Sequence, residues 1–265
     1  MQLKDKAVNK HIFKEVLGSG SNIVLIHGGG ASHRDMHPIA QELSLGYCVT
    51  NIDLPGTGTS SWEPSIKNIH DIADYVIEEL PPQAVYIGWS FGGLVAQSIA
   101  ARYPNRISRL IGIGTTPCFI ETDDWPGFPA TGFSAILDAL FKKGNTAKDF
   151  LKMFYESEFD NINPKSANYC EVQKLCAQPS TISNELLSKR IAICDATDLR
   201  GLFKSILCPV DFILGNQDNN IPKEAFVKIK ELNLKVKIHE IQGCGHAPFW
   251  THPSEFNQIL RNILT

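Results

Sequence analysis

The amino-acid sequence predicts an α/β fold, with a mostly parallel sheet, helices on both of its faces and a helical segment inserted between two strands. Short apolar runs alternate with helix-like segments through most of the 265 residues. This alternation is typical of parallel sheets that are buried on both faces. It stops between about Thr116 and Leu207 and resumes at Val210, which indicates an insertion into the sheet.

The elements that carry this pattern follow one another along the chain. The predicted strands are residues 22–26, 47–52, 84–87, 109–113, 210–214 and 236–241. The segments between them that favour helix are residues 35–43, 69–80, 94–103, 223–232 and 254–264. The start of the last helix is indicated by Ser254 between Pro253 and Glu255, a combination typical of a helix N-terminus.

The interruption defines the expected domain organisation. We expect residues 1–116 and 208–265 to form the sheet domain and residues 117–207 to form a helical lid. The lid segment has no strong strand pattern and is rich in aromatic residues, and the chain has no internal repeat or low-complexity tract.

Composition excludes several classes of function. A formal net charge of -3 provides no basic surface for nucleic acid. The first residues lack the apolar core of a signal peptide, and no apolar run is long enough to span a bilayer. The seven cysteines are scattered, without a C-x-x-C pair, which favours reduced thiols. We therefore expect a cytoplasmic protein, active as a monomer, that binds neither nucleic acid nor membrane.

A single serine is enclosed by glycines where a predicted strand passes into a predicted helix. Gly88-Trp89-Ser90-Phe91-Gly92 matches the G-x-S-x-G pattern of a nucleophile elbow. That turn is tight and strained, so the residues two positions either side of the serine must be small. The helix that follows directs its N-terminal N–H groups toward the place where negative charge develops. The pattern predicts that Ser90 is a nucleophile.

A serine hydroxyl needs a base, and the sequence offers one near its end. His246 closes the glycine-rich run GCGH, between the last predicted strand and the last helix. The carboxylate partner should follow a strand between serine and histidine. Asp218 does so at the end of the run GNQD, whereas the alternative, Asp211, lies within the strand and is expected to be structural. We predict a Ser-His-Asp triad of Ser90, His246 and Asp218.

An acyl-transfer site also needs donors for the oxyanion. The run HGGG (residues 27–30) follows the first predicted strand, where the second donor is expected. We assign the donors to the backbone N–H groups of Gly29 and Phe91. His27 is expected to stabilise the loop by a hydrogen bond, and a phosphate-binding loop is disfavoured because neither glycine-rich phosphate pattern is complete.

A pair of histidines and two of the cysteines are expected to have no catalytic role. His33 and His37 are four residues apart on a possible helix, but no third ligand is apparent, so surface polarity is favoured over a metal site. Cys118 and Cys244 are expected to be small buried side chains. No metal or other cofactor is predicted.

Together these motifs resemble the α/β-hydrolase fold. HGGG, DLPGTGTS (residues 53–60), GWSFGG and GCGHAPFWTHPSEF carry this resemblance over nearly the whole chain. The narrower resemblance is to the pimeloyl-acyl-carrier-protein methyl ester carboxylesterases of biotin synthesis. It depends on Trp89 before the nucleophile, on TPCF (116–119) followed by DWPG (124–127), and on HAPF followed by HP. HAPF and HP are weakly specific, whereas the PCF…WPG combination is much narrower.

The resemblance implies a serine carboxylesterase that hydrolyses the methyl ester of pimeloyl-acyl-carrier protein and releases methanol, without a cofactor. It places Trp89, Phe119 and Phe150 along the acyl channel, although for the two phenylalanines packing within the lid is an equal alternative. Relatives often carry tryptophan inside the oxyanion motif. This chain has Gly29 there, which keeps the backbone donor but removes a wall of the pocket.

The resemblance also implies a docking surface for the acidic carrier protein on basic residues of the lid. The candidates here are Lys142, Lys143, Lys148 and Lys152. Asp138 and Asp149 lie among them, so a solvated helix face remains an alternative. Three other functions stay open: a general or lipase-like carboxylesterase, a carbon–carbon bond hydrolase or haloperoxidase-like enzyme, and a ligand sensor built on a hydrolase scaffold.

Overall fold

Seven strands form one sheet in the part of the chain that the computed structural model describes, residues 11–159, 170, 173–174, 177 and 182–265. They are β1 (Lys14–Leu17), β2 (Asn22–Ile26), β3 (Cys48–Ile52), β4 (Ala84–Trp89), β5 (Ile107–Ile113), β6 (Val210–Gly215) and β7 (Lys237–Ile241). Their order across the sheet is β1-β3-β2-β4-β5-β6-β7. β1 runs antiparallel to β3, and the other neighbouring pairs are parallel, so the predicted mostly parallel sheet is confirmed.

The six predicted strands all form, with ends within two residues of those expected. β1 was not predicted from the sequence. That strand is four residues long, and its side chains are alternately exposed and half-buried, as suits the outer edge of a sheet. It therefore lacks the continuous apolar run by which the buried parallel strands are recognised.

Alternate residues of each central strand enter different halves of the core. Ile23 and Leu25 of β2 belong to one apolar cluster, and Val24 and Ile26 belong to the other. This is the two-residue period of a strand whose two faces are both covered. The long apolar run in the sequence is thus explained by burial on both sides of the sheet.

The helices supply that cover. They are α1 (His37–Leu43), α2 (Ile69–Ile77), α3 (Phe91–Arg102), α4 (Gly132–Lys142), α5 (Ala147–Phe159), α6 (Asn184–Ala196), α7 (Arg200–Phe203), α8 (Glu224–Leu232), α9 (Pro248–Thr251) and α10 (Pro253–Leu264). Buried residues of α2, α3 and α8 join the cluster on one face, and those of α1, α9 and α10 join the cluster on the other. The prediction of helices on both faces is confirmed.

Two helix predictions were wrong at their N-terminal ends. α3 begins at Phe91 and not at residue 94, because the helix starts directly in the turn after β4 despite the poor helix propensity of Gly92 and Gly93. A separate 3₁₀ turn, His33–Met36, precedes α1, so the expected helix from residue 35 is divided. The short helix α9 was likewise not predicted from the sequence.

Helices α4 to α7 lie between β5 and β6. Leu137 of α4, Leu151 of α5 and Leu187 of α6 pack in the same cluster as Trp89, beside the end of β4. The described part of this segment therefore covers the carboxyl edge of the sheet. The domain bounds at residues 117 and 207 stay a prediction, and residues 160–169, 171–172, 175–176 and 178–181 of the expected lid lie outside the described residues.

Candidate active site

The strand order creates a crevice at the carboxyl edge of the sheet. β2 lies between β3 and β4, so the chain leaves β2 toward one edge of the sheet and later leaves β4 toward the other. Loops that diverge at such a switch point leave a crevice in which open α/β sheets bind ligands. Gly28 to Gly30, after β2, and Ser90, after β4, line the same cavity there.

Ser90 occupies the strained turn that its glycine neighbours predict. Its backbone has φ 54° and ψ -121°, and it is the one non-glycine residue with positive φ among those the structure describes. A Cβ at Gly88 would lie 2.4 Å from the Gly92 carbonyl oxygen, and one at Gly92 would lie 2.3 Å from the Ile26 carbonyl oxygen. Both positions therefore require glycine, since backbone atoms occupy the space of a side chain.

Hydrogen bonds hold this turn in place. The Ser90 N–H donates to the Ile113 carbonyl at 2.9 Å. The Ser90 carbonyl accepts from the Gly93 N–H and from the Thr115 hydroxyl, each at 2.9 Å. The serine is thus fixed at the N-terminus of α3, where the first N–H groups and the positive end of the helix dipole favour negative charge.

His246 and Asp218 form a buried pair. The Nδ1 atom of His246 lies 2.7 Å from Oδ2 of Asp218, and both side chains are almost fully buried. Asp218 Oδ1 accepts backbone N–H groups of Asn220 at 2.8 Å and Ile221 at 3.3 Å, which orients the carboxylate. An ionised carboxylate only accepts, so Nδ1 carries a proton and the lone pair of the neutral ring lies on Nε2. His246 and Ser90 line the same cavity.

The alternative carboxylate, Asp211, is engaged elsewhere in the sheet. Its Oδ2 accepts from Arg109 of β5, and its Oδ1 lies 2.9 Å from Nε2 of His239 of β7. Burial alone would raise the pKa of Asp211, but the hydrogen bonds from His239 and Arg109 hold it below its usual value. Asp211 therefore links three adjacent strands, as expected of a structural residue.

The glycine loop after β2 is organised by His27. Its Nε2 accepts the backbone N–H of Leu54 at 2.9 Å, so Nδ1 carries the proton and donates to the Gly28 carbonyl at 2.7 Å. Burial, together with the nearby charge of Arg190, lowers the pKa of His27 to about 4. His27 is thus neutral at neutral pH and makes the loop-stabilising hydrogen bond that the sequence predicts.

The N–H groups expected to bind an oxyanion belong to Gly29 and Phe91. Within the described chain neither group donates a hydrogen bond to another residue. A Cβ at Gly29 would lie 3.6 Å from Cβ of Phe91, so the two residues are neighbours and Gly29 has room for a small side chain. Gly30 has no such room, because a Cβ there would lie 2.3 Å from the Leu151 side chain.

Trp89 has a second contact that the sequence did not reveal. Its ring lines the cavity, and its Nε1 donates to the backbone carbonyl of His246 at 3.0 Å. The ring also meets Phe249 edge-on, with centroids 5.2 Å apart. The residue before the serine therefore supports the loop that carries the histidine.

The cavity is about 300 Å³ and mostly apolar. Phe119 and Phe150 both line it, where the sequence had left their role open between cavity and lid packing. Phe154 was missed as a site residue: it lines the cavity and meets the His246 ring edge-on at 6.0 Å. Phe154 reaches the site because of the way α5 packs, and its local sequence does not distinguish it from the other aromatic residues of the lid.

The side of the cavity formed by α4 and α5 is open to solvent. Ile136 and Met153 line it although 45% and 50% of their surfaces are exposed. The predicted docking residues Lys142, Lys143, Lys148 and Lys152 are exposed on these same two helices or directly after α4. Lys152 lies 3.8 Å from Glu156, and Asp149 accepts hydrogen bonds from Thr146. The surface is therefore of mixed charge.

The remaining candidates take structural positions. His33 Nδ1 lies 2.9 Å from Asp53, and His37 Nε2 lies 2.9 Å from Glu15, so the two rings face different carboxylates. Among the described residues no three His, Cys, Asp or Glu side chains are grouped as metal ligands. Cys118 and Cys244 are buried, as predicted. No helix in the described ranges is long and apolar enough to cross a membrane.

The fold agrees with the comparisons between the chain and known proteins. The chain belongs to the alpha/beta hydrolase fold family, whose model matches residues 22–253. A pimeloyl-[acyl-carrier protein] methyl ester esterase of Aeromonas salmonicida is 30% identical over 254 residues, which cover 93% of this chain and 96% of that protein. The esterase of the same name from Klebsiella pneumoniae is 30% identical over 261 residues, covering 96% and 98%.

Solved structures show the same fold. The enol-lactonase from Burkholderia xenovorans superposes with a TM-score of 0.79 at 18% identity, covering 97% of each chain. A bromoperoxidase from Bacillus anthracis gives a TM-score of 0.79 at 25% identity, covering 96% of this chain and 95% of its own. One of these neighbours is a lactonase and the other a bromoperoxidase, so the likeness shows the fold and does not define the reaction.

Proposed function

We propose that this chain is a serine esterase that hydrolyses the methyl ester of pimeloyl-acyl-carrier protein, as its relatives are named to do. One observation carries the chemistry: a strained serine and the histidine of a buried Asp–His pair line the same apolar cavity. The relatives' names carry the choice of substrate, and their alignment covers more than nine-tenths of the chain.

In the proposed reaction His246 Nε2 takes the proton of the Ser90 hydroxyl while Oγ attacks the ester carbonyl carbon. Asp218 holds the ring in the required tautomer and stabilises the imidazolium. The N–H groups of Gly29 and Phe91 bind the oxyanion. His246 then protonates the departing methoxide, which leaves as methanol, and water hydrolyses the acyl-enzyme by the same route in reverse.

The cavity wall suits a methylene chain. Trp89, Phe119, Phe150 and Phe154 contribute apolar surface, and each buried methylene contributes about 0.8 kcal/mol to binding. The methyl ester is the narrow end of the substrate and enters first in this proposal. The thioester at the other end stays outside because the carrier protein is attached to it, and Ser90 therefore attacks the methyl ester.

The carrier protein is proposed to dock on the exposed face formed by α4 and α5. This face surrounds the open side of the cavity and carries Lys142, Lys143, Lys148 and Lys152. An acidic partner would be attracted to such a surface, and charges at the rim of an interface act mainly on association. Lys142 and Lys143 lie together at the C-terminal end of α4 and are the candidates that the test of docking addresses.

Methanol release from pimeloyl-carrier-protein methyl ester tests the proposal. The wild-type chain is expected to release one methanol per ester, and Ser90→Ala is expected to release none above the uncatalysed rate. Activity on short aryl esters without activity on the carrier-linked ester would assign a general carboxylesterase. Full activity of Ser90→Ala would overturn the serine mechanism, and tight acyl-ligand binding without turnover would favour a ligand sensor.

A further inference from the structure

A buried arginine lies directly behind the proposed oxyanion site. Arg190, on α6, is 1% exposed and is one of the largest fully buried side chains among the described residues. Charged side chains are almost never fully buried unless their charge is used or paired. Burial lowers the pKa of Arg190 to about 10, so the guanidinium still carries its charge at neutral pH.

The guanidinium is bonded to backbone carbonyls of two loops at the carboxyl edge of the sheet. Nη1 donates to the Gly29 carbonyl at 2.9 Å, and Nη2 donates to the Pro55 carbonyl. Gly29 follows β2 and Pro55 follows β3. Because Arg190 lies on α6, between β5 and β6 in the chain, its hydrogen bonds join α6 to both loops. The guanidinium carbon also lies 5.9 Å from the centre of the Phe91 ring.

These contacts determine the conformation of a loop that has little preference of its own. Gly28, Gly29 and Gly30 are consecutive, and glycine populates more of φ/ψ space than any other residue. The carbonyl of the Gly28–Gly29 peptide accepts from His27, and the carbonyl of the next peptide accepts from Arg190. With the peptide planes on both sides fixed, φ and ψ of Gly29 are fixed too.

We infer that Arg190 is a positioning residue for the oxyanion site: it holds the Gly29–Gly30 peptide through the Gly29 carbonyl, on the other side of the Gly29 Cα from the Gly28–Gly29 peptide whose N–H is the donor, and it supports the second donor through the Phe91 ring. The inference depends on the proposed serine mechanism. The fixed positive charge of Arg190 also lies behind the site, hydrogen-bonded to the Gly29 carbonyl, and favours a developing oxyanion.

The inference predicts an effect on turnover more than on substrate binding. Arg190→Met keeps the length of the side chain but removes both carbonyl hydrogen bonds and the charge. Since losing one oxyanion donor costs about a hundredfold or more, a misdirected donor is expected to lower kcat by about ten- to a hundredfold. KM is expected to change by less than about threefold, because the acyl cavity is unaltered.

Arg190→Lys provides a milder test. Lysine keeps the charge but has one ammonium group, which cannot reproduce the fork that spans two carbonyls. An intermediate kcat is expected, with a thermal midpoint closer to that of the wild type. This variant keeps the inference testable if Arg190→Met does not fold.

Arg106→Met is the matched control. Nη2 of Arg106 donates to the Ile77, Leu80 and Pro81 carbonyls at 2.9 to 3.1 Å. It precedes β5 at the opposite edge of the sheet from the site. The substitution removes a comparable arginine–carbonyl contact and is expected to lower the thermal midpoint while leaving kcat unchanged.

The assay uses the full chain with p-nitrophenyl butyrate, and the active fraction is titrated to completion with a fluorophosphonate. A boronic acid, which forms a tetrahedral adduct with serine, reports on the oxyanion site directly. Its affinity is expected to fall in parallel with kcat in Arg190→Met and to be intermediate in Arg190→Lys. A folded Arg190 variant with wild-type kcat and wild-type boronic acid affinity would overturn the inference. Activity remaining in Ser90→Ala would instead overturn the proposed serine mechanism, so the two failures are distinguishable.

Discussion

The loops at the carboxyl edge of the sheet and the helices that cover them build the two sides of one cavity by different means. Around Ser90 the backbone itself fills the space, and a Cβ at Gly88 or Gly92 would lie within 2.5 Å of a carbonyl oxygen. In the covering helices the cavity wall consists of side chains, and two of them, Ile136 and Met153, are half-exposed. The chemical side of the site therefore depends on backbone geometry, whereas the binding side depends on apolar side chains.

The largest effect is expected at Ser90. Ser90→Ala and Ser90→Gly should both lower kcat by about 10⁴-fold or more, since residues of a triad act as a unit. Glycine relieves the positive φ that alanine would retain, so Ser90→Gly should be more stable than Ser90→Ala by about 1 kcal/mol. Urea unfolding of the two variants measures this difference. Equal stabilities would show that the turn at Ser90 is not strained.

The next largest effect is expected from adding a methyl group in the loop region, compared with the same change in a covering helix. Gly92→Ala places a methyl group against the Ile26 and His27 carbonyls and is expected to lower the free energy of unfolding by about 3 kcal/mol. The control is Gly201→Ala in α7, where a Cβ would meet no atom within 4 Å. That change should be stabilising by less than about 1 kcal/mol. Similar effects of the two substitutions on chemical denaturation would contradict the comparison.

His27 provides a pH-dependent test of the loop after β2. Its pKa of about 4 in the folded state lies below the ordinary value of 6.5, so the unfolded chain binds a proton more readily. Stability should therefore decrease as the pH falls from about 6.5 toward 4. Between pH 7.5 and 5.0 the contribution of His27 is about 2 kcal/mol. Glutamine does not titrate, so the free energy of unfolding of His27→Gln should fall by about 2 kcal/mol less than that of the wild type over this range.

The smallest effect concerns the exposed surface of α4 and α5. Lys142→Glu combined with Lys143→Glu should raise KM for the carrier-linked ester by about three- to tenfold and leave kinetics on a small aryl ester unchanged. The control, Lys235→Glu with Lys237→Glu, makes the same charge change next to and within β7, an outer strand of the sheet. An equal rise in KM for both pairs would indicate a general effect of net charge. High salt should remove the specific difference.

Several features of the site could be predicted because a short stretch of sequence was sufficient to define them. Gly88 is required by its contact with Gly92, four residues further on, and Gly92 by its contact with the end of the adjacent strand β2, so the G-x-S-x-G pattern indicates the turn directly. The fold class could be predicted for a similar reason, since strands buried on both faces must be apolar throughout. The edge strand β1 could not, because its half-exposed side chains leave no such run.

The helices that cover the site could be predicted from the sequence, but the contacts that they make with the site could not. Phe154 and Arg190 belong to helices that the sequence indicated only as a lid, and nothing in their neighbourhood marks them as site residues. Arg190 meets Gly29 across 161 positions of the chain, and Trp89 meets His246 across 157. Contacts of this kind depend on how the elements pack and leave no local pattern.

The sequence by itself determined the six buried strands and the helices between them, the tight turn at Ser90 and the candidates for base and acid, because each follows from hydrophobic pattern, local sterics or a residue's chemistry. Only the tertiary structure decided that Asp218 accepts from His246 while Asp211 joins Arg109 and His239. It alone also decided that a buried guanidinium holds the Gly29 carbonyl. The reason is physical: these choices depend on distances between segments remote in sequence, which are set when the helices pack on the sheet.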